Sequence, residues 1–396
     1  MSDLKFDFDT IVDRRNTNCG RWDTMDKKYG SNELIHLGVA DMDFRAPQPI
    51  IDGFQQCVDH GIFGYTDLNE AFYDSFISWM KRKHAADVKK EEILFCPRIN
   101  ISSSVCVETF TQPGDSVIIN TPAYGPLYNA IVKNNRDVLE SRLILENDRY
   151  RINLDHLEEI ITPNTKLFIL CSPHNPVGRV WTKEELTEIG EFCVRHHLIL
   201  FSDEIHGDIT AQGTHFVSTL SLQEEIRQLL VVAASPTKTF NIPGVILSYL
   251  VIPNGELRKK IQDDIDRIGM HNPTIFAVTA AKKAYTECDD WYDAVTDYIN
   301  ENEAYTRSYF AEHMPEFHIY PREGTYLLWM DYSRLNCTEE ELEKWFIEKA
   351  HVGVYMGTVF REEGRGCIRV NIASPRKLLE QAYGQMASVY DALKAK

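Results

Sequence analysis

Residues 229–243 read LLVVAASPTKTFNIP: an apolar, β-branched run that stops at Ser235 and Pro236 and delivers Lys238 two residues later. Such a run, bounded by turn formers, predicts a strand buried on both faces. A lysine placed just past its end reaches the rim of a sheet rather than the middle. Alone it would be an ordinary solvated amine, so its meaning depends on what else arrives at that rim.

Upstream, the same grammar repeats. DSVIINTPAY (115–124) and TKLFILCSPHNP (165–176) are short apolar strands running into turns. TKEELTEIGEFCVRHH (182–197) predicts a helix, opened by a capping box of Thr182 and Glu185. LILFSDEIHGD (198–208) is the next strand, and a helical stretch around 221–228 leads back to the strand before Lys238. Strand–helix–strand repetition means βαβ units and a mostly parallel sheet with helices on both faces. After residue 285 the pattern changes. A charged amphipathic stretch (292–313) precedes GTYLLWMDY (324–332), a helix over 338–350, GCIRVNIA (366–373) and a last helix from about 376. We therefore expect an N-terminal segment (1–48) packing with the small unit, a large α/β domain (49–284) and a smaller α+β domain (285–396).

In open parallel sheets, ligands sit outside the carboxyl ends of the strands. Three successive strands end at Asn175, Asp203 and Lys238, spaced widely enough for one crossover helix each. An amine and a carboxylate meeting there make a salt bridge in the simplest case. With Asn175 beside them the trio also fits pyridoxal phosphate, held as a Schiff base to the lysine, its ring nitrogen kept protonated by the carboxylate and its ring hydroxyl bonded by the asparagine.

Composition narrows the remaining classes. The formal net charge of −17 argues against nucleic acid and anionic membrane as partners. The opening MSDLKFDFDT has no basic region followed by an apolar one, so no secretory signal is expected. Nine cysteines without a C-x-x-C pair suit reduced thiols in a cytoplasm, and no metal site is expected.

Eight segments in order then carry a resemblance. They are VADMDF (39–44), FGYTDLNE (63–70), PGDSVIINTPAYGP (113–126), CSPHNPVGRVW (171–181), FSDEIHGD (201–208), PTKTFNIPG (236–244), GTYLLWMD (324–331) and EEGRGCIRVNIA (362–373). On these the chain resembles the fold-type I (aspartate aminotransferase-like) pyridoxal 5′-phosphate enzymes, specifically the MalY/PatB group of cystathionine β-lyase-like C–S lyases. The resemblance implies Lys238 as cofactor-bearing lysine and general base, and Asp203 facing the pyridinium nitrogen. Asn175 and His206 would partner the ring hydroxyl, Asn175 also meeting substrate. It implies Tyr124 stacked on the ring, where it could also protonate a leaving sulfur, and Ser235 on the phosphate. Arg369 would clamp the substrate α-carboxylate, and Tyr65 would cross a homodimer interface to the neighbour's phosphate.

Two departures accompany the match. Arg98 in CPRINISSSV (96–105) stands where the family carries a glycine, leaving Ile99 and Asn100 as expected phosphate-binding amides at a helix start. Ile246 stands where many aminotransferases of this fold carry a phosphate-binding arginine, eight residues after the lysine. The implied activity is α,β-elimination of a small sulfur-containing amino acid to pyruvate, ammonia and a thiol. The alternatives are an aminotransferase of the same fold and a cofactor-binding regulator acting through a protein partner.

Overall fold

The computed structural model describes residues 6–394; residues 1–5, which open the expected N-terminal segment, and 395–396 lie outside the described residues. A seven-stranded sheet forms the centre. In spatial order its strands are Ile93–Phe95, Tyr249–Val251, Leu230–Ala234, Ile199–Asp203, Thr165–Cys171, Ser116–Thr121 and Asp137–Arg142. The five strands from Leu230–Ala234 to Asp137–Arg142 pair in parallel. Tyr249–Val251 runs antiparallel to both of its neighbours.

The run that opens the sequence reading shows why the sheet is buried. Leu230, Val232 and Ala234 face one apolar core while Val231 and Ala233 face another. This is the two-residue alternation of a strand covered on both sides. Helix Ile99–Phe110 contributes Val105 and Cys106 to the second core, and helix Lys183–His196 contributes Leu186, Ile189 and Phe192 to the first. Each fully buried side chain of this size is worth about 1.5–3 kcal/mol. A charge at Val232, 0 % exposed, would forfeit that and add an unpaired ion. The capping box forms as expected: Thr182 Oγ1 accepts from the Glu185 amide, and the Thr182 amide donates to the Glu185 carboxylate.

A second sheet, antiparallel, orders His318–Ile319, Leu327–Asp331, Cys367–Asn371 and Tyr355–Met356. The stretch from Ile35 to Asp43 ties into it. Ile35 and His36 pair in parallel with Val352 and Gly353, and the Asn371 amide donates to the Leu37 carbonyl. The same stretch also touches the large sheet's loops, since Asn241 Nδ2 donates to the carbonyls of Met42 and Phe44. Among the described residues no helix is long and apolar enough to cross a membrane.

Candidate active site

The parallel register levels the strand ends: Cys171 pairs with Asp203, and Asp203 with Ala233. The chain leaves all three strands at one height, so Asn175, Asp203 and Lys238 converge. They line a single cavity of about 140 Å³ together with Tyr124, His206, Ser235, Ile99 and Asn100. Eight of the ten residues expected from the sequence thus surround one space. Arg369 joins them from strand Cys367–Asn371, through a 2.8 Å bond from Nη1 to Asn175 Oδ1.

Lys238 Nζ donates to the Ala40 carbonyl at 2.5 Å, an acceptor it shares with the Tyr326 hydroxyl at 2.9 Å. Burial pushes the amine down to about 8, opposed by the negative charges of Asp41 and Asp203 and assisted by Arg369. Asp203 accepts from the Ile205 amide at 3.1 Å. Burial raises its carboxyl to about 7. His206 is held neutral, well below its ordinary range, by burial and by the charges of Lys238 and Arg369. Its Nδ1 has no partner.

Arg369 is 2 % exposed and lies over the rings of Phe360 and Tyr355. Besides Asn175 it binds the Gly38 carbonyl through Nη2 at 2.7 Å, while its Nε is buried without a partner. Burial lowers it to about 10, which leaves it fully charged at neutral pH. Tyr124 precedes helix Gly125–Val132, and burial raises its hydroxyl above the ordinary range. Ile99 and Asn100 open helix Ile99–Phe110, so their amides belong to the first turn, which leaves donors free.

Two expected residues behave differently. Ser235 lines the cavity, but its hydroxyl donates to the Leu247 carbonyl at 2.5 Å. Tyr65 is not at this cavity within one chain; its side chain is fully exposed, at 103 %. Arg98, despite standing at a glycine position of the family, takes φ −147° and ψ 144°, extended backbone open to any residue. The Ala40 carbonyl went unforeseen as the lysine's acceptor. The sole trace of it is the match at VADMDF, since a main-chain oxygen has no signature of its own.

The arrangement offers a nucleophilic amine of lowered basicity, a buried carboxyl without an ion-pair partner and a guanidinium with an unused donor. Comparison with known proteins gives the family. Residues 32–385 match the family described as aminotransferase class I and II. The chain is 35% identical over 365 residues to cystathionine beta-lyase PatB of Bacillus subtilis, covering 92% of this chain and 94% of that protein. It is 32% identical to protein MalY of Escherichia coli, covering 98% and 99% of the two chains. Among solved structures it superposes on the pyridoxal 5′-phosphate-containing cystalysin of Treponema denticola with a TM-score of 0.95 and 32% identity, over 98% of this chain and 100% of that one.

Proposed function

Because this chain belongs to the aminotransferase class I and II family, we propose that it is a pyridoxal 5′-phosphate-dependent carbon–sulfur lyase, which eliminates a thiol from a small sulfur-containing amino acid and leaves pyruvate and ammonia. One observation carries the reading: Lys238, Asp203 and Asn175 line one cavity, and Arg369 is bonded to Asn175 on its wall.

That cavity fits the cofactor. Lys238, a buried amine of lowered basicity, suits a carbonyl carbon. Asp203, a buried carboxylate with no ion pair formed on it, suits a protonated ring nitrogen. The unpartnered His206 Nδ1 suits a ring hydroxyl, alongside Asn175. The first-turn amides of Ile99 and Asn100 suit a phosphate. When bound, the cofactor supplies an electron sink for the pair left at the substrate Cα.

The chain's own residues do the rest. Arg369 holds the substrate α-carboxylate through Nε, its position fixed by Asn175 and Gly38. That hold orients the Cα–H bond toward Lys238. Lys238 Nζ, free once the substrate amine has taken its place, removes the Cα proton. Tyr124, protonated at neutral pH because burial raises it, gives a proton to the departing sulfur. Asp203 keeps the ring-nitrogen proton in place throughout.

We infer a homodimer as the active unit. Tyr65 is fully exposed in the lone chain, and Ile62 and Phe63 beside it are 66% and 59% exposed. A second copy would cover these apolar groups and bring Tyr65 to the neighbour's phosphate. We also propose that the chain divides into residues 1–48, 49–284 and 285–396, and that it works in the cytoplasm, where its nine cysteines, none of them in a disulfide among the described residues, stay reduced.

The test is direct. Purified protein with L-cystathionine and no keto acid should release pyruvate and ammonia. Turnover that requires 2-oxoglutarate and yields no ammonia would make it an aminotransferase instead, since Lys238, Asp203 and Arg369 serve that chemistry equally well.

A further inference from the structure

The cofactor's phosphate carries close to two negative charges at neutral pH, and a buried dianion needs more than amide dipoles. The lining of the cavity contains two long basic side chains, Lys238 and Arg98, and one acid, Asp203. Lys238 is committed to the cofactor's carbonyl carbon on the reading above. Arg98 is the charge that remains.

The hydroxyls around it are already engaged. Ser235 Oγ gives its proton to the Leu247 carbonyl, which makes Thr237 Oγ1, 2.7 Å away, a donor to Ser235. Ser248 Oγ donates to the Cys96 carbonyl. The hydroxyls of this wall are therefore satisfied within the protein. Arg98 is exposed, and no hydrogen bond or ion pair engages its guanidinium among the described residues.

The register says which wall it stands on. Phe95 pairs with Tyr249, and the Cys96 amide donates to the Ser248 carbonyl at 3.2 Å. The ladder ends there, and Arg98 and Ile246, which follow and precede the two strands, both line the cavity. Arg98 is also the residue that precedes the helix whose first amides are Ile99 and Asn100. We propose that Arg98 is the phosphate-binding cation of this enzyme: its guanidinium closes on the cofactor's phosphate from the strand end at residue 98, beside the Ile99 and Asn100 amides. The planar fork of an arginine matches two phosphate oxygens at once.

The inference rests on the cofactor reading, and a pair of ligands separates the two. Cofactor-free protein is titrated with pyridoxal 5′-phosphate and, separately, with pyridoxal, which lacks the phosphate. Arg98→Ala should weaken pyridoxal 5′-phosphate at least ~10-fold, the scale of one lost charged hydrogen bond, and leave pyridoxal unchanged. Arg98→Lys should fall between them, because it keeps the charge and loses the fork. Inorganic phosphate should raise the melting temperature of the cofactor-free wild type more than that of Arg98→Ala. Equal affinity of wild type and Arg98→Ala for pyridoxal 5′-phosphate overturns the assignment, and so does equal weakening of both ligands, which would mark a structural role. A wild-type chain that binds neither ligand overturns the cofactor reading itself.

Discussion

Asn175 and Arg369, 194 residues apart in the chain, are joined by a 2.8 Å hydrogen bond from Nη1 to Oδ1. The bond links the large sheet's rim to the second sheet across the cavity. It also spends one face of the guanidinium on the protein and leaves Nε, buried and unpartnered, for a ligand. Asn175→Ala should therefore lower kcat/KM ~10-fold or more, because a charged hydrogen bond contributes ~1.5–3 kcal/mol, and the loss should fall mainly on KM. Arg369→Ala should cost more, and by a similar factor for every amino acid substrate, since the α-carboxylate is common to all. Steady-state kinetics on two substrates with different side chains checks both. A variant that loses one substrate and keeps the other would place Arg369 at the side chain instead.

The carboxyl of Asp203 makes a prediction about the cofactor-free protein. Burial raises it from 3.8 to about 7, so the fold favours the neutral form. As pH climbs from about 4 to about 7 the unfolded chain ionises first and stability falls; above that window the loss is complete and constant. Asp203→Asn cannot ionise. Without cofactor it should melt higher than wild type at pH 8, by an amount worth up to a few kcal/mol, and not higher at pH 4. With cofactor the order of merit reverses, because the ring nitrogen loses its counter-charge, and turnover should drop ~100-fold or more. Melting curves at the two pH values decide; an Asp203→Asn protein no more stable than wild type at pH 8 would mean that the carboxylate is already compensated.

Much of this site was legible because parallel strands announce their ends. Ser235–Pro236 and Ser172–Pro173 break apolar runs, and the residues just beyond them, Lys238 and Asn175, had to share a rim with Asp203. What stayed hidden has physical reasons. Tyr249–Val251, three residues long, is too short to show a period, so its antiparallel insertion beside Leu230–Ala234 left no trace. The Ala40 carbonyl that receives Lys238 is a main-chain group any residue would offer. Ile35 and His36 form a two-stranded parallel sheet of their own with Val352 and Gly353, two pairings that are too few for a pattern. The resemblance implies Ser235 on the phosphate, and no pattern in the sequence marks the carbonyl twelve residues on that takes its proton.

Tyr65 tests the assembly. If it completes the neighbour's site, Tyr65→Ala and Lys238→Ala each abolish or cripple both sites of their own dimers. Mixed by unfolding and refolding together, random pairing makes half the dimers hybrids, each with one intact site. About a quarter of wild-type activity should return. No recovery on mixing, with hybrids verified by mass, would mean that Tyr65 serves its own chain or none.

Tyr124 separates the steps of the reaction. Its hydroxyl is raised by burial and so stays protonated across the neutral range, which makes it a donor rather than a base. A proton on the departing sulfur matters in proportion to how poorly that sulfur leaves as a thiolate. Alkyl thiols, near pKa ~8.5 as in cysteine, hold the negative charge less well than aryl thiols do. Tyr124→Phe should therefore slow elimination from L-cystathionine by ~100-fold, the lower range for a general acid, and slow an S-aryl cysteine much less. The same variant should leave removal of the Cα proton intact, because that proton goes to Lys238. Exchange of the Cα hydrogen of L-alanine with deuterated solvent, a reaction with no leaving group, isolates that step. Comparable losses in alanine exchange and in both eliminations would show that Tyr124 acts before the sulfur departs, through the ring it packs against, and would remove it from the role of acid.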